Sequence, residues 1–273
     1  MSVKIIDCFI FYNEVDLLYY RLSTLYDIVD YFIIIESTHT FSGKEKKMYL
    51  NENSILFDKF KSKIIHLISK PLFIYPEINY SNKEQWKNEE HQRNFIKHGL
   101  SILNSNNNIS NDDIIIISDV DEIPDKNILQ KLSSNDFKIS EIFSLEMDMY
   151  YYNLNTYLGK WYYAKILSYN ILKNSQLSIN DIRNINISRS LLLAGWHLSY
   201  FADIATIQNK ILNFSHQEFN NDAYTNLDTI TFRKNNQCDL FNRREINITK
   251  ISHNDNKYLP YKYNEFLIKY IEY

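Results

Sequence analysis

The sequence predicts an α/β protein with a mixed, mostly parallel central sheet flanked by helices. Two observations carry this. Apolar runs at residues 4–12, 31–36, 64–68 and 114–117 are rich in the β-branched and aromatic side chains that suit a pleated, covered surface. The segments between them carry apolar residues at helical spacing, and strands alternating with helices favour parallel pairing. With only four glycines and four prolines, the chain argues against disorder and against Gly-rich phosphate loops. It contains neither a P-loop nor a GxGxxG fingerprint.

Residues 4–12 read as a first buried strand. Asn13 is placed to cap a helix in which Val15, Leu18, Tyr19, Leu22, Leu25 and Tyr26 recur at helical spacing. A second strand follows at 31–36, a helix near 51–61 and a third strand at 64–68. Residues 83–100 predict a helix with Glu89 and Arg93 four apart and Gly99 near its end. A polar loop at 104–111 leads to the strand at 114–117. Beyond residue 140 the texture changes to longer aromatic-rich strands, 141–153 and 161–172, expected to be antiparallel. A strand at 191–201 and an amphipathic helix at 204–214 follow. No repeat or long linker divides the 273 residues, so one unit is expected.

Bulk properties narrow the function. A net charge of −3, from 30 basic and 33 acidic residues, implies no broad basic surface and no nucleic-acid partner. Cys8 and Cys238, the two cysteines, make neither a disulfide framework nor a CxxC zinc site. No stretch approaches 18 apolar residues and the N-terminus lacks a signal-peptide pattern. A soluble cytoplasmic protein without a membrane anchor is therefore expected.

Residues 113–124, Asp-Ile-Ile-Ile-Ile-Ser-Asp-Val-Asp-Glu-Ile-Pro, carry the strongest functional signal. The isoleucine strand stops at Asp119, Asp121 and Glu122. In an extended backbone Asp119 and Asp121 point to one side, and like charges that close repel unless something positive lies between. A divalent cation with positions open for a phosphate resolves this. Pro124 and Asp125 suit the first turn of a following helix. An open α/β sheet places its ligand at such a strand–turn–helix junction. The plainer reading is a solvated acidic turn that caps a helix.

Other candidates converge on the same sheet edge. Asn13, Glu14 and Asp16 begin the first helix, where carboxylates offset the positive helix end and suit base or ribose donors better than phosphate. A capped helix explains them equally well. Glu36 ends the second strand. Arg93 can pair with a diphosphate or with one of the acids. His197 and His216 can complete a cation held by carboxylates. The aromatic clusters at 150–152 and 161–163 can supply a platform for sugar rings.

These segments resemble glycosyltransferase family 17. The matching pieces are Ile5-Ile6-Asp7-Cys8-Phe9 with Asn13-Glu14, and Glu36-Ser37-Thr38 with Thr40-Phe41-Ser42-Gly43. Then come Gln92-Arg93-Asn94 with Gly99-Leu100, and Ile117-Ser118-Asp119-Val120-Asp121-Glu122-Ile123-Pro124. Ala194-Gly195-Trp196-His197-Leu198-Ser199-Tyr200-Phe201 completes the set, which spans about residues 5–220. The resemblance implies a GT-A-like fold, a UDP-sugar donor, Mn²⁺ or Mg²⁺, and inverting transfer, most readily of N-acetylglucosamine, to a glycan hydroxyl. It divides the chain into a nucleotide-sugar half, about 1–125, and an acceptor- and metal-completing half, about 126–273. Vertebrate members carry a membrane anchor, so this chain looks more like a microbial or viral member.

On this reading Asp121 holds the metal, Asp119 the ribose or the metal's water shell, and His197 the third ligand position, with His216 in reserve. Asn13, Glu14 and Glu36 line the nucleoside pocket and Arg93 meets the phosphates. Glu218 is the first choice of catalytic base, ahead of Asp148 and Glu146. Two other functions compete: a haloacid-dehalogenase-like phosphatase with Asp119 as nucleophile, and a non-catalytic glycan-binding protein.

Overall fold

The computed structural model describes residues 3–134 and 138–271. Strands β1 (Ile5–Phe11), β2 (Tyr31–Ser37), β3 (Ile64–Ser69) and β4 (Ile114–Asp119) form a wholly parallel block in the order β3-β2-β1-β4. Every residue of β1 is buried, and the twofold alternation of a strand sorts its side chains between two cores. Ile5, Phe9 and Phe11 enter one, with Phe32, Ile34, Ile114 and Ile116; Ile6, Cys8 and Ile10 enter the other, with Ile33, Ile35, Ile115 and Ile117. Continuous apolar strands are required because helices cover both faces.

The main helices are α1 (Val15–Leu25), α2 (Glu84–Asn94), α3 (Ile96–Ser105), α4 (Lys126–Ser133), α5 (Tyr169–Asn174), α6 (Ile179–Asn184), α7 (Ile204–Asn213) and α8 (Leu227–Asn235). Several expectations need correction. Asn13 does not cap α1; Glu14 occupies the cap position without a side-chain cap bond, while the Asn13 carbonyl accepts the Val15 amide. The helix expected at 51–61 is a series of single turns, Tyr49–Glu52, Ser54–Phe57 and Asp58–Lys63. The expected 83–100 helix is two, broken at Phe95. Pro124 ends a short strand, β5 (Glu122–Pro124), and Asp125 is the N-cap of α4, its carboxylate accepting the Asn127 amide at 2.8 Å.

The second half continues the same sheet with β6 (Phe143–Tyr151), β7 (Thr156–Trp161), β8 (Lys165–Ser168), β9 (Ser190–Ser199) and β10 (Thr249–Lys250). Its strands run β10-β7-β6-β8-β4-β1-β2-β3, with β9 parallel to β6 and antiparallel to β5. The sheet is thus mixed, and most of its paired residues lie in parallel ladders. The run expected at 161–172 divides into the end of β7, all of β8 and helix α5.

The β5–β9 pairing positions the site, because it sets Glu122 opposite His197 and Pro124 opposite Gly195. Gly195 has φ +150°, and a Cβ there would lie 2.2 Å from the Ile123 carbonyl oxygen. Only glycine lets the two backbones approach this closely. Gly195→Ala is therefore expected to cost roughly 1–3 kcal/mol in strain. Urea unfolding checks the stability loss, and an accompanying loss of ligand binding would report the displacement of His197.

Candidate active site

The site begins with a charge in an apolar strand. Asp7 is fully buried within β1, so it requires a cationic partner. Arg21 on α1 supplies it, with Nε 2.8 Å and Nη2 2.6 Å from the two carboxylate oxygens. The remaining guanidinium donors reach the end of β4 and the turn after it. Nη2 donates to Ser118 Oγ at 2.7 Å, and Nη1 to the Asp119, Val120 and Glu122 carbonyls at 2.7, 3.3 and 2.8 Å. These bonds hold the acidic turn by its backbone, which leaves the Asp119 and Asp121 carboxylates for other work.

Glu122 points inward and is fully buried. It accepts the Trp161 indole N–H, Arg183 Nη2 and, at 2.9 Å, the Asp119 amide. Arg183 also reaches Asp119 at 3.1 Å, and Arg93 meets the other Asp119 oxygen at 3.0 Å. Arg93 further donates to Glu89 at 2.8 Å and to Asn180 at 2.9 Å. The Asp121 carboxylate lies 3.1 Å from Lys210 Nζ and 3.6 Å from His197 Nε2, and Lys210 also pairs with Glu14 at 3.2 Å.

Asp119 and Asp121 do not extend along one strand as expected. β4 ends at Asp119, and Val120 and Asp121 form a turn, so each carboxylate has its own cations. Burial works against ionisation at both. At Asp119 the Arg183 and Arg93 charges outweigh it, and at Asp121 the Lys210 and His197 charges do, holding both carboxyls well below their usual range. Burial likewise disfavours the Lys210 ammonium, but Asp121 and Glu14 push its pKa upward.

A cleft of about 440 Å³ opens over this network. One part is aromatic, with Tyr12, Phe41, Trp86, Phe214 and His216. Another is charged, with Arg93, Asp119, Asp121, Arg183, His197 and Lys210; Trp161 and Tyr163 close a further wall. Among the described residues, Arg93 Nε, Arg183 Nε and Nη1, Asn13 Oδ1 and His197 Nδ1 are buried without a hydrogen-bond partner. Three unsatisfied guanidinium N–H positions are costly, and because these atoms have almost no exposed surface a ligand meets them only when the side chains around them shift.

The cleft brings together Glu14, Arg93, Asp119, Asp121, His197 and His216. Asn13 lies beside it, donating to Asn209 at 3.4 Å. Glu36, expected in the nucleoside pocket, is fully buried away from the cleft wall. Its oxygens accept from Lys46 Nζ at 3.0 Å, the Tyr49 amide at 2.6 Å and the Leu50 amide at 3.4 Å, and His66 Nε2 lies 3.2 Å away. It anchors the segment that follows β2. Asp148 and Glu146 lie off the cleft wall and share Lys160, at 2.7 and 3.1 Å. Glu218 reaches the cleft only through His216, whose Nδ1 is 2.7 Å from its carboxylate. His216 packs edge-on against Trp86 and does not approach Asp121 in the way His197 does.

The tyrosine clusters separate. Tyr150, Tyr151 and Tyr152 are all buried, so alternation exposes none of them. Tyr162 and Tyr163 are exposed, and Trp161 packs between Tyr163 and His197 with its ring tilted to both, centroids 4.7 and 4.6 Å away. Lys165 holds this segment by donating to the Tyr162 and Tyr163 carbonyls at 2.7 and 3.2 Å.

Sequence reasoning missed Arg21, Arg183 and Lys210. The available signals were an aspartate inside an apolar strand and basic residues on the apolar stripes of α1, α6 and α7, beside Leu22, Ile182 and Ile211.

Residues 1–242 match the family model of glycosyltransferase family 17. The chain belongs to that family and is a glycosyltransferase, which sets aside the phosphatase and non-catalytic readings. No curated protein matches it. Among solved structures it is similar to a 4-diphosphocytidyl-2C-methyl-D-erythritol synthase at 9% identity. That match has a TM-score of 0.36 and covers 74% of this chain and 90% of the other. Among the described residues no helix is long and apolar enough to cross a membrane.

Arg21→Met should cost about 3–5 kcal/mol, because it strands the buried Asp7 charge. Adding Asp7→Leu should recover much of that stability in urea unfolding without restoring donor binding, since the turn would stay unpinned. A second expectation concerns Lys165, which burial, aided by the Arg183 charge, lowers to about 8. The fold therefore disfavours its protonated form. Its contribution to stability should become more favourable as pH rises from there to the ordinary lysine value of about 10.4. The unfolding free energy of wild type minus that of Lys165→Met, followed across that window, checks the sign.

Proposed function

We propose that this member of family 17 is a GT-A-like enzyme that transfers a sugar from a UDP-sugar to a glycan hydroxyl. The observation that carries the reading is the set of unpartnered guanidinium donors on Arg93 and Arg183, beside Asp119 and Asp121 in one cleft. A nucleoside diphosphate matches it: the aromatic part takes the base, and the guanidinium charges of Arg93 and Arg183 in the cleft wall attract the phosphates, their N–H groups turning to phosphate oxygens on binding. Family resemblance supports N-acetylglucosamine as the donor sugar and an inverting course.

The residues fit a divalent cation. Among the described residues no three His, Cys, Asp or Glu side chains form a ready-made site. Asp121 and His197, 3.6 Å apart, offer a hard oxygen and an imidazole nitrogen at a spacing two ligands of one ion can share. Mn²⁺ and Mg²⁺ commonly take one or two protein ligands and complete their shell with phosphate and water. When bound, the ion would supply charge neutralisation for the departing diphosphate. The chain's own residues do the rest. Arg93 and Arg183 orient the phosphates, Asp119 is held by both for a ribose hydroxyl, and Lys210 keeps Asp121 ionised. Trp161 and Tyr163 shield the transfer from water.

Hydrolysis of a UDP-sugar panel with and without Mn²⁺ tests this. UDP release from one donor should require Mn²⁺ and fall at least about a hundredfold in Asp121→Asn. Release that ignores both changes overturns the metal assignment, and the anomer formed on transfer tests the inverting course.

A further inference from the structure

We propose that a groove beside the cleft is the acceptor subsite and that it takes a neutral pyranoside laid against Tyr162 and Tyr163. The inference rests on the donor reading above and adds where the second substrate sits and what chemistry it has. The groove encloses about 560 Å³, within the usual range of roughly 300–1,000 Å³ for small-molecule sites. Trp161, Tyr163 and Asn184 line both it and the cleft, so a ligand in the groove can bring a hydroxyl to the donor.

Its chemistry is that of a sugar site. Tyr162 and Tyr163 are 43% and 46% exposed, unlike Tyr150–Tyr152; the Tyr163 ring already carries the Arg183 guanidinium 5.3 Å from its centroid, so Tyr162 offers the ring face to the C–H face of a pyranose and Tyr163 the flank beside it. Asn184, Asn186, Ser188 and Ser190 supply amide and hydroxyl groups that can both donate to and accept from sugar hydroxyls.

Charge decides which sugars fit. The two lysines of the groove are already engaged. Lys160 is paired with Asp148 and Glu146 at 2.7 and 3.1 Å, and Lys165 donates to two backbone carbonyls. The charge of Lys160 is offset by two carboxylates and Lys165 is itself buried, so neither presents a free ammonium to a carboxylate or phosphate on the ligand, and a neutral ring is favoured over a sialylated or phosphorylated one.

Binding of p-nitrophenyl β-glycosides of glucose, galactose, mannose and N-acetylglucosamine, followed by saturation-transfer NMR and titration, tests the assignment. At least one should bind the wild type, and Tyr162→Ala and Asn186→Ala should each weaken it about tenfold while keeping the wild-type unfolding midpoint. The proposal is overturned if no glycoside binds, if affinity is the same in both variants, or if glucose 6-phosphate binds more tightly than the neutral glycosides. UDP binding to the wild type is measured alongside. Its absence would count against the donor reading, whereas glycoside binding that ignores Tyr162 would count against this one alone.

Discussion

The buried pair of Asp7 and Arg21 is the constraint on which the site depends. A carboxylate in the middle of a fully covered strand demands an arginine, and the arginine that answers it spends its other donors on Ser118 and on three carbonyls of the 119–122 turn. Its guanidinium also lies 4.2 Å from the centroid of the Phe9 ring, so the charge is packed as well as bonded. Such a pair is a weak source of net stability, since desolvating two ions offsets much of their attraction. What it gives is geometry. The turn is fixed through its main-chain carbonyls and the Asp119 amide, which Glu122 accepts, so the Asp119 and Asp121 carboxylates need not hold it in place.

Around that fixed turn, charge is arranged in two sets. Glu122 and Asp119 share Arg183, with Arg93 behind them; Asp121 shares Lys210 with Glu14 and faces His197. Asp119 and Asp121 are held in their ionised forms by these cations, and Arg93 and Arg183 keep N–H groups without a partner. A pre-charged and partly unsatisfied site suits an anionic ligand, because its charges are already in place when the ligand arrives. The same arrangement explains why Glu36 stands apart: its donors saturate it and make it a structural anchor.

The second half of the chain matters for the site because it returns to the same sheet edge. β9 pairs with β5 through the close approach at Gly195, which sets His197 across from Glu122. α6 then contributes Arg183 and α7 contributes Lys210. Trp161 bonds Glu122 on one side and packs against Tyr163 on the other, joining the cleft to the groove beside it.

By itself the sequence determined the parallel block, the acidic turn at its edge and the residues that recur in family 17. These are local patterns: β-branched runs, helical spacing and short motifs follow from neighbours along the chain. It also put Arg93, Asp121 and His197 on the list of candidates. Only the tertiary structure decided which charges meet. Arg21, Arg183 and Lys210 looked like ordinary basic residues of amphipathic helices, and Glu36 looked like a free strand-end acid. Whether a charged group is a ligand, a clamp or an anchor depends on which donors reach it from elements tens of residues away, and on whether Val120 and Asp121 continue the strand or turn. No local pattern encodes that, because burial and pairing are set by packing between elements distant in the chain.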